Sequence, residues 1–168
     1  ASDYADWQNA GTPGWGWDQV REAYRAIEDN EAGGDAYRGK GGPLFISANQ
    51  SDLHPLCDSY IQSGVAAGLP FAPDFNGERQ EGIGIYQMTI RNARRNSAAR
   101  AFLRPAMRRP NVTVLTRAQV TRVLFDGNRA VGVEYVRGGQ RQSARAAREV
   151  LLSRGALNSP QLLMLSGT

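Results

Sequence analysis

Apolar residues change their spacing several times along the chain, and each change marks an expected element. Behind an aromatic turn at residues 11–17, Val20, Ala23, Tyr24 and Ile27 recur on one helical face and predict an amphipathic helix from Asp18. Residues 28–42 then become polar and glycine-rich and read as a flexible linker or lid. Their end, Gly39-Lys40-Gly41-Gly42-Pro43, lacks the Gly-Lys-Ser/Thr close of a phosphate loop. Residues 44–47 read as a short strand. Leu56, Tyr60 and Gly64 or Val65 predict a helix over 55–68, stopped by Gly68 and Pro70. Asp74-Phe75-Asn76-Gly77 is a turn. Residues 82–90 set Ile83, Ile85 and Gln87 against Gly84, Tyr86 and Met88, the pattern of a strand with apolar character on both faces.

In the second half, Ser97 opens a short helix that Pro105 is expected to end, and residues 112–116 read as a β-branched strand. Residues 118–126, 129–137 and 140–147 follow as a three-stranded meander, turned at Asp126-Gly127-Asn128 and Gly138-Gly139, with Val131, Val133 and Tyr135 sharing a face. Val150-Leu151-Leu152 is a continuous apolar run too short for a helix, which suits a strand buried on both faces of a parallel sheet. Residues 153–158 are the turn after it. Ser159 is placed as N-cap and Pro160 at the first helical position, where its missing N–H costs nothing, and Leu162, Leu163 and Leu165 supply the packing side. Ser166 and Gly167 can end the helix.

A helix starting at the carboxyl end of a parallel strand presents unpaired N–H groups and a positive dipole end, so a phosphate or pyrophosphate is its natural partner. Gly155 and Ala156 would let such a ligand approach the backbone. An ordinary, well-capped strand-to-helix connection explains the same residues. Gln87 is likewise open to two readings, facing a substrate cavity or wetted by solvent on an edge strand.

Composition narrows the classes. A chain of 168 residues with 41% hydrophobic content can bury the core of one globular domain. Of its 20 basic residues only Lys40 is a lysine, and the net charge of +4 is an arginine excess, densest from Arg91 to Arg109. No aromatic-interleaved basic motif accompanies it, so solvated faces and genome composition account for it and no nucleic-acid partner is expected. The single cysteine, Cys57, excludes an internal disulfide, and with the single histidine, His54, leaves no Cys/His metal cluster. No metal is expected. No apolar run approaches the ~20 residues that span a bilayer, and the amino end lacks the basic and apolar regions of a signal peptide. Membrane association is not indicated, and a cytoplasmic location is expected.

The run Gly155-Ala156-Leu157-Asn158-Ser159-Pro160-Gln161-Leu162-Leu163-Met164-Leu165-Ser166-Gly167 resembles the second signature of the glucose-methanol-choline (GMC) flavoprotein oxidoreductases. Pro13-Gly14-Trp15 with its helix, Gly41-Gly42-Pro43-Leu44, the 74–77 turn, Gln80-Glu81-Gly82, Tyr86-Gln87 and residues 94–103 follow the family order too, in the manner of its choline dehydrogenase-like branch. Arg154 departs from it, standing where a small residue is usual, and Thr168 stands where an aliphatic is usual.

The resemblance implies an α/β chain (α+β as a fragment): part of an FAD/NAD(P)-binding, Rossmann-like domain with a β-meander, plus part of an antiparallel-sheet substrate domain. Residues 1–43 would be a linker or lid associated with the FAD domain, 44–109 part of the substrate domain and 110–168 part of the FAD domain. It further implies FAD as cofactor, with Val120 contacting the adenine through its backbone and Ser153, Gly155, Ala156, Ser159 and Pro160 forming the cofactor turn. Tyr86 and Gln87 would lie on the substrate side, toward the flavin ring. The implied reaction is oxidation of a small-molecule alcohol at a CH–OH group with hydride transfer to flavin.

The dinucleotide fingerprint Gly-x-Gly-x-x-Gly does not occur here, nor do the family's carboxyl-terminal catalytic histidine and its His or Asn partner, and His54 matches neither of these two. The chain alone is therefore expected to be inactive and not to hold FAD tightly. A GMC-fold lyase of the oxynitrilase kind shares these motifs, and a free-standing nucleotide- or phosphate-binding module would explain the turn at Gly155.

Overall fold

The computed structural model describes residues 2–48 and 53–167, and the chain divides into two compact units, Ala1–Val112 and Thr113–Thr168.

The first unit opens with α1 (Ser2–Asn9) and α2 (Trp17–Ile27). Helix α1 carries no apolar stripe and was not expected. Its rings hold it: Tyr4 stacks on Trp17 with centroids 5.7 Å apart and meets Trp7 edge-on at 5.4 Å, and the Tyr4 hydroxyl donates to that of Tyr24 at 3.2 Å.

Residues 28–42, expected as a flexible linker, are instead built into the fold. Strand β1 (Glu28–Asn30) pairs in parallel with β2 (Leu44–Ile46), Glu28 opposite Leu44 and Asn30 opposite Ile46. The connection between them lies directly on the end of α2. A Cβ on Gly39 would fall 1.9 Å from the Arg25 carbonyl oxygen, and one on Gly42 would fall 2.3 Å from the Ile27 carbonyl carbon, so these glycines serve close packing rather than freedom of motion.

Helix α3 (Leu56–Ala66) lies within the expected span. The strand expected over 82–90 does not form as a unit. Ile83 bridges Phe71 and Met88 bridges Ser47, and regular pairing begins only at β3 (Ile90–Arg91), which meets β4 (Arg94–Arg95) through a turn with φ of 51° at Asn92 and 53° at Ala93. The segment touches different neighbours at each end, and no single ladder can follow it. Beyond it a wide π-helical turn (Ala99–Leu103) runs into α4 (Arg104–Ala106). Pro105 continues this helix rather than ending it, standing in the first turn of α4 directly after the wide π-helical turn.

The second unit contains the meander as expected: β5 (Gln119–Asp126), β6 (Arg129–Arg137) and β7 (Gln140–Arg145) in the order β5-β6-β7, all antiparallel. Helix α5 (Gly155–Leu165) closes it, burying Leu162 against a core with Val123 and Tyr135. Ser166 Oγ accepts the Val123 N–H at 2.8 Å and so satisfies a donor on the edge strand β5.

Three expectations fail in this unit. Residues 112–116 form no strand, and Val114 and Leu115 are exposed. Residues 150–152 form none either, and Leu151 is 79% exposed; an extended run becomes a strand only where its N–H and C=O groups find a neighbour, and none pairs with it among the described residues. Finally, α5 begins at Gly155, with Pro160 inside it and Ser159 already helical instead of capping.

Candidate functional site

Within the second unit, a cavity of about 350 Å³ is walled by Val120 and Val133 of the sheet, by Leu152, Ser153 and Arg154 of the approach to α5, and by Leu162 of the helix. A register shift between Val120 and Arg122 leaves Thr121 as an extra residue beside Val120. The Thr121 hydroxyl donates to Glu134 Oε1 at 2.8 Å and, with the Arg122 guanidinium, holds that carboxyl below its usual range.

Of the residues expected to hold a cofactor, Val120 and Ser153 share this wall. Gly155 and Ala156 open α5 on an exposed surface. Gly155 has φ +84°, a conformation few side chains tolerate, although the space around it is open. Ser159 points its Oγ back to accept the Arg154 N–H at 3.1 Å, which ties the turn to the helix from within, and Pro160 is exposed.

The Arg154 guanidinium reaches the Val120 carbonyl at 3.5 Å. The residue that departs from the expected pattern is thus set against the backbone expected to meet adenine. An apolar concave wall with one backbone carbonyl, one hydroxyl and a guanidinium at its rim suits part of a nucleotide.

Tyr86 and Gln87 lie in the first unit and have different surroundings. Tyr86 is 69% exposed and stacks on Phe75, with centroids 4.7 Å apart. Gln87 is half-buried, and its Oε1 accepts from Asn30 Nδ2 at 3.0 Å and from Arg38 Nη2. Arg38 also pairs with Glu28 at 3.0 Å and with Asp74 at 3.2 Å, its side chain only 11% exposed. Asn30 is 1% exposed, and its Oδ1 accepts the Ala32 N–H at 2.9 Å.

The loop carrying Arg38 is held by its backbone. Asp35 accepts the N–H groups of Tyr37 and Arg38, both at 2.7 Å, and these hold its carboxyl below the ordinary range. Glu28 accepts from Gly39 at 2.8 Å, and Asp29 from Gly41 at 3.1 Å, an N–H that lowers the Asp29 carboxyl with help from Lys40.

Sequence reasoning did not single out Glu28, Asn30, Arg38 or Asp74. Their signal was an acidic run directly after an amphipathic helix and a lone arginine in a glycine-rich stretch, which composition alone reads as a solvated loop.

Among the described residues no helix is long and apolar enough to cross a membrane, and no group of three or more His, Cys, Asp or Glu side chains could hold a metal ion.

The sequence pattern of the family described as GMC oxidoreductase matches residues 1–168. The chain belongs to the GMC oxidoreductase family. Within that family it is 46% identical over 167 residues to mouse choline dehydrogenase, mitochondrial, covering 99% of this chain and 28% of the relative. It is 43% identical to the alcohol dehydrogenase [acceptor] of Pseudomonas putida, covering 98% of this chain and 30% of the relative. The fold agrees. Pyridoxine 4-oxidase from Mesorbium loti superposes with a TM-score of 0.85 at 40% identity, covering 99% of this chain and 33% of that one. The GMC chain described here thus spans less than a third of the length of the curated relatives it matches.

Proposed function

We propose that this chain is part of an FAD-dependent oxidoreductase that oxidises a small-molecule alcohol at its CH–OH group, as its likeness to choline and alcohol dehydrogenases suggests. The observation that carries the reading is the 46% identity to a choline dehydrogenase along 99% of the chain. Bound FAD would supply the hydride acceptor, and the protein would position it.

For the cofactor, the chain offers the Val120 backbone and Ser153 on one apolar wall, and Gly155 and Ala156 at an exposed helix start whose dipole favours an anion. Ser159 and Pro160 fix the course of that turn and helix. Arg154 adds a cation at the rim, and its pull on the Val120 carbonyl is a feature a nucleotide must share or displace. Tyr86 and Gln87 are assigned to the substrate side. Residues 44–109 are assigned to the substrate domain and 110–168 to the FAD domain.

The test is to purify the complete protein, measure bound flavin, and mix it anaerobically with a panel of primary and secondary alcohols. The expected result is one FAD per chain, bleached by at least one alcohol, while the isolated 168 residues retain no stoichiometric flavin. Bound flavin that no alcohol reduces would favour the lyase chemistry open to this fold, and absence of flavin would overturn the reading.

A further inference from the structure

Gln87 has an amide whose orientation is decided by its neighbours. A guanidinium has no acceptor, so the end of the Gln87 amide that meets Arg38 must be the oxygen. The same logic fixes Asn30. A backbone N–H can only donate, so the end of Asn30 that meets the Ala32 N–H at 2.9 Å is its oxygen, and its Nδ2 is the end turned to Gln87. Two groups that can only donate therefore set two amides in series. Arg38 Nη2 and Asn30 Nδ2 converge on Gln87 Oε1, and Gln87 Nε2 has no hydrogen-bond partner among the described residues.

The setting of this amide is rigid. Arg38 is held by Glu28 and Asp74, Asn30 is 1% exposed, and the loop between them is tied down through Asp35, Glu28 and Asp29. A glutamine merely wetted by solvent needs none of this. An amide with its oxygen doubly engaged and its nitrogen free is a directional donor prepared in advance of its ligand, and preparation of that kind is what gives a donor value in a binding site.

We propose that Gln87 is a fixed hydrogen-bond donor on the substrate side, its Nε2 presented to the oxygen of the alcohol and of the carbonyl product, with Arg38 and Asn30 as positioning residues that keep the amide from flipping. This rests on the substrate-side assignment of Gln87 made above. It adds a chemical requirement: the ligand must bring an oxygen acceptor to this point.

Gln87→Glu and Gln87→Met in the complete protein separate this role from a structural one. A glutamate keeps both acceptor contacts with Arg38 and Asn30 but has no N–H to offer; a methionine keeps neither. The readouts are thermal midpoint, kcat/KM for the best alcohol, and the affinity of an unreactive ketone of substrate size followed through the flavin absorbance.

For a donor, kcat/KM falls in both variants, by about 100-fold in Gln87→Glu, and ketone affinity falls at least tenfold there while the midpoint holds. Gln87→Met alone loses thermal stability. If Gln87→Glu keeps wild-type kcat/KM and ketone affinity, the glutamine only fills the network and the inference is overturned, whatever Gln87→Met does. Failure of the wild-type protein to transfer hydride from any alcohol overturns the proposed function instead, and that outcome is read before either variant.

Discussion

Around Arg38 the charges meet opposite charges or dipoles inside the same unit: Glu28, Asp74 and Gln87 surround the guanidinium, and loop N–H groups reach the Glu28 and Asp29 carboxylates. In the stretch from Val150 into α5 the reverse holds. Leu151 is 79% exposed, Leu157 85% and Met164 75%, and a run with the composition of a buried strand pairs with nothing among the described residues. The first region balances its charges from its own sequence. The second leaves apolar side chains exposed, and the chain spans less than a third of the length of its curated relatives. Stability in the two regions should therefore respond to different things, and substitutions can break that contrast.

The largest effect is expected at Arg38. Arg38→Met leaves Glu28 nearly buried and Asp74 half-buried without that cation, and unit stability should fall by about 3 kcal/mol in urea unfolding. The control is the exposed Arg141, 3.3 Å from Glu134: Arg141→Ala should cost less than about 0.5 kcal/mol, because Arg122 and Thr121 still hold that carboxylate. Equal losses at the two sites would mean that the Arg38 cluster is not the closed unit described.

Leu162→Ala should follow, at about 3 kcal/mol, because the side chain is 1% exposed and fills the core beneath α5. Leu157→Ala, on the open side of the same helix, should stay within about 0.5 kcal/mol in the 168-residue chain. In the complete protein it should cost about 2 kcal/mol or more if that surface is covered. Denaturation of both lengths decides it, and a neutral Leu157→Ala in both would leave the open face without a partner.

The contrast also explains what could be read from residues alone. The meander and α2 were legible because their signals are local: alternating faces, Gly127 at a turn, Gly138-Gly139 with φ of 58° and 77°, and one apolar stripe. Strand β1 was not, since Glu-Asp-Asn has low strand propensity and is held by loop N–H groups that the pattern does not show.

The runs at 112–116 and 150–152 have strand composition, but pairing is a property of neighbours rather than of composition. The helix start at Gly155 was misplaced to Ser159 because a serine before a proline reads as a cap, whereas Ser159 reaches back to the Arg154 N–H from inside the helix. For the site, Val120 and Ser153 line one cavity, while Arg38 was invisible because its partners lie far apart along the chain.

Smaller effects test the backbone. Gly155→Ala should cost about 1–2 kcal/mol from its φ of +84° alone, since no atom lies within 4 Å of the added Cβ. Ala93 holds φ +53° without being glycine, so Ala93→Gly should stabilise the first unit by about 0.5–1 kcal/mol. A loss at Ala93 would show that the β3–β4 turn is maintained by something other than its own geometry.

The smallest expected effect is a pH dependence on the loop that carries Arg38. Asp35 is held below the ordinary carboxylate range by the Tyr37 and Arg38 N–H groups, so the folded state keeps it ionised more strongly than the unfolded chain does. The stabilisation is then fully present above the unfolded carboxyl value of about 3.9 and is lost as pH falls through the lower folded value. Asp35→Asn should lower stability at neutral pH only slightly, because the group is exposed, and should flatten the acid limb of the stability curve below about pH 4. The Arg38 guanidinium lowers the Asp35 carboxyl less than the two N–H groups do, so Arg38→Met should leave most of the Asp35 contribution in place if the loop is held by its backbone. If Arg38→Met also removes the acid dependence that Asp35→Asn removes, the loop and the cluster order each other, and the first region is one cooperative device rather than a loop with a charge placed on it.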